Sequence, residues 1–532
     1  MTGSSGLGRR RFLAIGAAAG GAALAAPLGM RLLGPGRPGR LLHSSAPLPR
    51  PFQVPLTVPS VLRPVHSDGT SDLYEITQQV AQLQILPGLT TPAWTYGGTF
   101  PGPTLVARAG RRTTVRHRNE LPGATVVHLH GGHTPADSDG YPTDLVLPLR
   151  GGAGSAPAAT ACMPAMPAMP CHGTTARSTP GGREYTYPND QRAATLWYHD
   201  HRMGFTGPAV WRGLAGFHLI HDDEEEALRL PRGDRDIPLM ITDRSFAEDG
   251  SFQYPSSDPA LRVPGVTDAY MDGVLGDVVL VNGAPWPVLH TERARYRLRL
   301  LNASNARPYR LELHPQPPGG GGLVQIGGDG GLLERPVRHD AVELAPAERL
   351  DVVVDFSSYR PGTRVQLVNR FATDTTAMVM RFDISSAQVA PTDDSAVPER
   401  LAPVERLDPA KAVATRTFAL RQSRSSGWTI NGLPYLPGRA LARPRLGTVE
   451  TWRFVTDFHH PVHLHLNHFQ VLSRNGRAPG PYDGGWKDTV DLRPAEAVEL
   501  AVRFTDHRGA FMMHCHNLEH EDMAMMGDFV TE

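Results

Sequence analysis

Four histidine pairs, each with one residue between its two members, constrain the fold of this chain more than any other feature. They occur in the stretches VVHLHGG, WYHDHRM, PVHLHLN and MHCHNLE, and their members are His128, His130, His199, His201, His463, His465, His514 and His516. In a β-strand, residues i and i+2 project from the same face, so each pair would present two imidazoles side by side. A lone histidine is more often structural than a ligand, but four such pairs indicate one shared metal site. Imidazole ligands alone leave copper, zinc and iron open.

The stretch HCHNLEHEDMAMM, near the C-terminus, adds a cysteine between two of these histidines. Strand alternation sends Cys515 to the face opposite His514 and His516, so it would serve a separate, adjacent metal. His460, His520 and Met525 can complete that second set. Two histidines, a thiolate and a weak thioether are the ligands of a blue copper centre, whereas a zinc site would need no methionine. The sequence therefore predicts two metal sites that share one strand.

The remainder of the chain favours many short strands in several domains. Its 532 residues exceed the roughly 250 to 300 at which single cores stop growing. Apolar runs are short, valine-rich and separated by turn signals, and runs such as RYRLRLLNAS and RLDVVVDF alternate as half-buried strands do. Lys+Arg and Asp+Glu both number 53, so the charge balance gives no indication of a nucleic-acid partner. We expect three consecutive β-sandwich or barrel domains.

The N-terminal stretch GRRRFLAIGAAAGGAALAAPLG resembles a twin-arginine export signal. Arg9 to Arg11 precede a short apolar run, and Ala23-Leu24-Ala25 offers a small-residue cleavage site. An uncleaved anchor is the alternative. We expect residues 1–51 to be signal and linker outside the fold, the mature protein to have no stable membrane span, and its location to be extracellular, in the cell envelope or periplasmic.

A low-complexity insertion at about 150–182 contains CMPAMPAMPC, with three methionines between Cys162 and Cys171. Thioethers select cuprous ion, so this segment could collect Cu(I). Alternatively it is a proline-rich surface loop closed by a Cys162–Cys171 disulfide, which an exported protein permits. The two interpretations are compatible.

The segments HLHGGHTPADSDGYP, LWYHDH, HPVHLHL, GWKDTV and HCHNLEHEDMAMM, together with LAPAERLDVVVDF in the middle of the chain, resemble the multicopper oxidases. The likeness is greatest to the bacterial spore-coat laccase and bilirubin oxidase branch. It implies an all-β chain of three cupredoxin-like Greek-key domains at 52–223, 230–385 and 410–532, with a linker at 386–409. The middle domain would hold no copper ligand.

The resemblance also implies four copper ions and a role for each ligand. His460, Cys515 and His520 would hold the type 1 copper, with Met525 axial. His128 and His463 would hold the type 2 copper. The type 3 pair would be held by His130, His199, His201, His465, His514 and His516.

Two carboxylates, Asp139 and Glu521, are by the same resemblance the expected proton carriers, because a carboxylate can cycle between acid and base. The alternative is that each lies in a solvated acidic turn. Asp488 and Asp522 are candidate acceptors that orient histidines. Three further histidines fall outside the ligand pattern and are expected to be structural or solvent-exposed: His133, His459 and His468. Phe458 stands where bilirubin oxidases often have tryptophan, which argues against that particular activity.

The function implied is that of an exported, laccase-like oxidase. It would oxidise phenols or aminophenols by single electrons at the type 1 copper and reduce O2 to water at the trinuclear cluster. The first alternative is a cuprous oxidase that uses the methionine-rich loop for copper resistance. The second is a copper-binding protein without turnover, which would not need paired histidines around an open oxygen site.

Overall fold

The computed structural model describes residues 38–149, 177–387, 392–423 and 427–532. The predicted export signal and the methionine-rich segment between Cys162 and Cys171 lie outside these residues. Gly39–Glu532 forms one compact unit. Within the described ranges, helices are too short or too polar to cross a bilayer.

The first region, up to Ala227, builds two main sheets. One has the order β10-β6-β3-β2 with β4 beside β3, and the other has the order β5-β12-β11-β7. The strands are β1 (Arg40–Leu41), β2 (His66–Ser67), β3 (Ser71–Leu83), β4 (Thr91–Tyr96), β5 (Gly102–Arg108), β6 (Arg112–Asn119), β7 (Val127–His130), β8 (Leu145–Leu147), β9 (Ser178–Pro180), β10 (Gly182–Tyr187), β11 (Ala194–Asp200) and β12 (Ala215–His221). The helices are α1 (Thr206–Trp211) and α2 (Asp223–Ala227).

The middle region builds an eight-stranded sheet and a five-stranded sheet. The larger has the order β17-β16-β13-β19-β24-β21-β22 with β14 beside β13, and the smaller has the order β18-β26-β25-β20-β23. The strands are β13 (Asp236–Phe246), β14 (Phe252–Gln253), β15 (Val274–Leu275), β16 (Val278–Val281), β17 (Ala284–Pro285), β18 (Val288–Thr291), β19 (Arg295–Asn302), β20 (Tyr309–His314), β21 (Leu323–Gly328), β22 (Gly331–His339), β23 (Ala341–Leu344), β24 (Arg349–Asp355), β25 (Arg364–Asn369) and β26 (Met378–Ile384).

The third region builds two five-stranded sheets, with the orders β28-β27-β30-β34-β32 and β29-β36-β35-β31-β33. The strands are β27 (Thr415–Ser423), β28 (Gly427–Ile430), β29 (Ala440–Ala442), β30 (Thr448–Thr456), β31 (His460–Leu464), β32 (Phe469–Arg474), β33 (Thr489–Leu492), β34 (Ala497–Phe504), β35 (Gly509–Cys515) and β36 (Met526–Thr531). One short helix, α3 (Leu518–Asp522), follows β35. The prediction of an all-β chain is confirmed, while the predicted domain boundaries stay predictions.

The segment just before the first long strands belongs to the fold. β1 pairs in parallel with β15, and Ala46 packs in the core of the middle region. The Ser44 hydroxyl donates a hydrogen bond of 2.5 Å to Asp277. The prediction that the chain up to Pro51 lies outside the fold is therefore wrong for residues 40–46, because the backbone of residues 40–42 pairs along β15 and the N–H groups of Ser45 and Ala46 donate to the Phe246 carbonyl.

Two strands predicted to be half-buried, β19 and β24, are buried on both faces. The charged residues inside these strands do not face water, whereas Arg295 and Asp355 at the strand ends are partly exposed. Arg297 donates a hydrogen bond of 2.9 Å to Asp351, and Arg299 donates one of 2.8 Å to Asp236. The expectation of half-buried strands, drawn from the alternation of apolar and charged residues, is wrong here. Opposite charges within the sheet pair with one another, which offsets the cost of burying them.

Candidate metal centres

The eight paired histidines converge on one buried place, here called the eight-histidine cluster, and every one of their side chains is at most 1% exposed. Cross-strand register brings them together within each region. His128 on β7 lies opposite His199 on β11, and His463 on β31 lies opposite His514 on β35. The cluster thus has one half from the first region and one half from the third.

The two halves are in direct contact. The Nε2 atoms of His128 and His463 lie 3.3 Å apart, and so do those of His201 and His514. The ring of His128 stacks on that of His465, with centroids 3.8 Å apart. Residues more than half the chain apart therefore form one site.

Backbone carbonyls fix the orientation of several of these rings. The His128 Nδ1 lies 2.6 Å from the Asp139 carbonyl oxygen, and the His199 Nδ1 lies 2.8 Å from the Asp200 carbonyl oxygen. An N–H at Nδ1 can donate to a carbonyl, which leaves Nε2 with the lone pair. Burial lowers the pKa of His199 to about 3 and that of His201 to about 4. His199 and His201 are therefore neutral at neutral pH, the form that binds metals.

The donor atoms fit copper. The Nδ1 of His130, the Nε2 of His199 and both ring nitrogens of His516 are buried without a hydrogen-bond partner in the described part of the chain. Buried polar atoms are nearly always satisfied, so lone pairs left over in a ring of imidazoles suit a metal ion. Several triplets place their donor atoms within 4.8 Å of one another, among them His128, His463 and His465.

A second cluster, the Cys515 site, lies beside the first. The Cys515 Sγ is 3.4 Å from the His460 Nδ1 and 3.6 Å from the His520 Nδ1, and the two Nδ1 atoms are 3.1 Å apart. The Asn517 N–H donates to the sulfur at 3.4 Å. Met525 is fully buried in the same hydrophobic core as Cys515, and its backbone carbonyl accepts a hydrogen bond of 3.1 Å from the Cys515 N–H. Two imidazoles and a thiolate are donors that fit copper.

An aromatic stack covers the Cys515 site. The Trp428 ring lies over that of His520, with centroids 3.8 Å apart, and meets His460 edge-on at 5.5 Å. Phe458 contacts Trp428 at 5.8 Å and is 40% exposed. No motif in the sequence around Trp428 indicated this role, because the contact with His520 joins residues 92 positions apart.

Both predicted proton carriers are buried next to the eight-histidine cluster, so the solvated-turn alternative is wrong. The Asp139 Oδ2 lies 2.7 Å from the His465 Nδ1, and burial raises the pKa of Asp139 well above its usual range. Glu521 lies 3.2 Å from the His514 Nδ1 and accepts a hydrogen bond of 2.6 Å from the Thr206 hydroxyl. Burial alone would raise the pKa of Glu521, but its interaction with His514, which includes a hydrogen bond, holds it below its usual range. The sequence did not indicate Thr206.

The two predicted orienting carboxylates behave differently. The Asp488 Oδ1 lies 3.1 Å from the His130 Nε2, and the Asp488 carbonyl lies 2.9 Å from the His463 Nδ1. In the described part of the chain, the Asp522 carboxylate instead accepts hydrogen bonds of 2.8 Å from the backbone N–H groups of Thr206 and Gly207. The expectation for Asp522 is wrong, since it holds the start of α1.

The three histidines outside the ligand pattern make contacts of a structural kind. His133 lies 2.9 Å from a carboxylate oxygen of Asp506, and His459 lies 2.6 Å from one of Asp491. The His468 Nε2 lies 3.1 Å from the Gly131 carbonyl oxygen.

Two multicopper oxidase family models match this chain, one at residues 408–532 and one at 77–157 and 171–225. A laccase of Bacillus stratosphericus is 36% identical over 533 residues, covering 88% of this chain and 97% of the relative. A bilirubin oxidase of Albifimbria verrucaria is 33% identical over 90% of this chain and 81% of its own length. A solved laccase structure from Pediococcus acidilactici superposes with a TM-score of 0.77 at 32% identity, over 93% of this chain and 96% of that one.

The eight-histidine cluster and the Cys515 site, in an all-β chain of cupredoxin-like domains, define a copper oxidoreductase, and the predicted fold class is confirmed. The chain belongs to the multicopper oxidase family, as the resemblance of its motifs predicted.

Proposed function

We propose that this protein is an exported, laccase-like oxidase. It couples the one-electron oxidation of phenols or aminophenols at the Cys515 site to the four-electron reduction of O2 to water at the eight-histidine cluster. When bound, copper would supply the electron transfer and the reduction of oxygen. His460, Cys515, His520 and Met525 would hold one ion, and the eight paired histidines would hold three.

The observation that carries this proposal is the position of Cys515 between His514 and His516. Its sulfur lies with His460 in the Cys515 site, while its two neighbours lie in the eight-histidine cluster. A few covalent bonds thus join the two clusters. A storage protein has no need of such a connection, and an oxidase that takes electrons at one site and uses them at another does.

The surface beside the Cys515 site suits an aromatic reductant. Phe458 is partly exposed, and Trp428 lies between it and His520. A flat aromatic ring can pack against Phe458 by edge or face contacts, which favour ring centroids about 4.5–7 Å apart. The likeness to laccases named above supports the same class of substrate.

The two buried carboxylates can transfer the protons that the formation of water consumes. Burial raises the pKa of Asp139, which favours its protonated form, and its Oδ1 has no hydrogen-bond partner in the described part of the chain. Glu521 accepts a hydrogen bond from the Thr206 hydroxyl, and this hydroxyl is a further group through which a proton can pass. We assign Asp139 the role of proton donor and Glu521 that of carrier. The export expected from Arg9 to Arg11 completes the proposal.

Oxygen uptake by the copper-loaded protein tests the function. We expect uptake with 2,6-dimethoxyphenol, with four phenols oxidised per O2 and no hydrogen peroxide released. Absence of uptake with every reductant would refute the oxidase. The cuprous oxidase alternative is tested by measuring the rate of Cu(I) oxidation before and after deletion of residues 162–171. This alternative fails if the deletion leaves the rate unchanged.

A further inference from the structure

Two motifs of this chain, LAPAERLDVVVDF and GWKDTV, lie outside the predicted ligand pattern, yet they meet beside the eight-histidine cluster. The first contributes Arg349 at the start of β24, in the middle region. The second contributes Asp488, immediately before β33 in the third region. The Arg349 guanidinium donates to both carboxylate oxygens of Asp488, one of them at 2.7 Å.

Every N–H of the Arg349 side chain has an acceptor. A guanidinium has five N–H donors in a rigid fork. Two of them serve Asp488, and the other three donate to the carbonyl oxygens of Thr195 at 2.9 Å, Ala347 at 3.0 Å and Asp329 at 3.1 Å. Arg349 is fully buried. Its position, and with it the position of Asp488, is therefore fixed from five directions.

Asp488 in turn determines which nitrogen of His130 carries the proton. The His130 Nε2 lies 3.1 Å from the Asp488 Oδ1 and 3.1 Å from the Thr489 Oγ1. The Thr489 hydroxyl donates its own hydrogen to Asp488 at 2.9 Å, so its oxygen can only accept from His130. Nε2 thus faces two acceptors and must be the protonated nitrogen. The lone pair is left on Nδ1, which is buried without a partner in the described residues.

This makes His130 the reverse of its neighbours. In His128, His199 and His463 it is Nδ1 that faces a carbonyl oxygen, and Nε2 is left for a metal. The His130 ring also stacks on that of His463, with centroids 3.6 Å apart, which opposes rotation of the ring.

Gly131 permits this arrangement. Its φ is +86°, and a Cβ there would lie 2.7 Å from the Arg349 Nη2 and 2.8 Å from the Asp488 Oδ2. A side chain at this position would push the ion pair away from His130.

We propose that Arg349, from the middle region, where no copper ligand is predicted, is a positioning residue for the eight-histidine cluster. Through Asp488 it holds the His130 ring so that Nδ1, and not Nε2, faces the cluster. The inference rests on the proposed function only in naming copper as the ion that Nδ1 faces.

The test compares Arg349→Lys with Arg307→Lys. Lysine keeps the charge and loses the fork. Arg307 is the matched control. It is also a buried arginine of the middle region that pairs with an aspartate, since its Nε donates to Asp243 at 2.8 Å, but this pair lies away from the histidines. The full chain is labelled with ¹⁵N-histidine, and the signals of His130 are assigned by their loss in His130→Gln. The ¹⁵N chemical shifts of the imidazole nitrogens are recorded first for the copper-free protein. They are recorded again after the protein is loaded with copper and reduced to diamagnetic Cu(I).

We expect the unsubstituted chain and Arg307→Lys to show the Nε2–H form of His130. In Arg349→Lys we expect a mixture of tautomers and a copper affinity of the cluster lower by about 10–100-fold, as for other groups that orient metal-bound histidines. An Nδ1–H form in the unsubstituted chain would overturn the inference even if Arg349→Lys does not fold. Equal effects of both substitutions, or none from Arg349→Lys, would also overturn it.

The copper-free shifts separate this inference from the proposed function. If His130 shows the Nε2–H form and loses it in Arg349→Lys, but the loaded protein consumes no O2, the positioning role stands and the oxidase fails. If the loaded protein consumes O2 but His130 shows the Nδ1–H form, the oxidase stands and the positioning role of Arg349 fails.

Discussion

The eight-histidine cluster and the Cys515 site differ in how far apart in the chain their side chains lie. The cluster needs β7 and β11 of the first region and β31 and β35 of the third, which meet at His128 and His463. The Cys515 site is drawn from residues 460–525 alone, and its sulfur belongs to the hydrophobic core of the third region.

This difference shows which parts of the protein each site depends on. The Cys515 site is set mainly by the folding of one pair of sheets. The eight-histidine cluster exists only when the first and third regions dock, and the middle region reaches it through Arg349 and Asp488. Substitutions can therefore damage one site and spare the other.

Cys515→Ser should give the largest effect. Loss of the thiolate would remove the proposed electron-accepting site, so we expect oxidation of 2,6-dimethoxyphenol to fall by more than about 100-fold, beyond what loss of an orienting group causes. The copper content should fall by one ion per chain, and the intense blue absorption should disappear. Copper analysis and the visible spectrum measure both, and an active serine variant would contradict the assignment.

His128→Ala should damage the other site. The cluster loses a ligand supplied by the first region, so we expect O2 uptake to fall by about 100-fold. The blue absorption of the Cys515 site should remain, because none of its ligands has changed. Loss of the blue band together with O2 uptake would show that the two sites do not form separately.

Asp522→Ala should weaken docking between the regions. The substitution leaves the Thr206 and Gly207 N–H groups at the start of α1 without their acceptors, which corresponds to about 1–2 kcal/mol for loss of a helix cap. We expect a lower unfolding temperature by calorimetry and a greater loss of copper from the cluster than from the Cys515 site. Asp223→Ala, at an exposed position of α2, is the control and should change neither.

Phe458→Ala should give the smallest effect. Phe458 contacts Trp428 and is partly exposed, so its loss removes about 1 kcal/mol of aromatic contact, or a few-fold rise in KM for a phenol. The value of kcat and the use of Cu(I) should change little. A steady-state comparison of the two reductants measures this, and an equal change for both would place the phenol elsewhere.

Local patterns in the sequence predicted the positions of the ligands. The histidine pairs were expected on strands, and His128 and His130 both lie in β7. His201, His465 and His516 lie just past the ends of β11, β31 and β35, yet strand alternation still sends Cys515 away from its neighbours, as predicted. Periodicity acts over a few residues, so these features were within its reach.

Contacts between distant segments were not predictable in this way. The alternation in β24 suggested a solvent-facing side, but Arg349 and Asp351 are buried against partners elsewhere in the chain. Asp522 lies next to metal-site residues in sequence and in space holds α1. Which charges meet across regions depends on docking, and no spacing within one segment encodes it.

One stopped-flow measurement tests most directly the claim that the Cys515 site and the eight-histidine cluster work in sequence. The copper-loaded protein is reduced by 2,6-dimethoxyphenol without oxygen and then mixed with O2, while the blue absorption is followed. We predict that the absorption returns rapidly in the unsubstituted protein and does not return in His128→Ala on the same timescale. Equal recovery in both proteins, or no recovery in the unsubstituted one, would contradict the account.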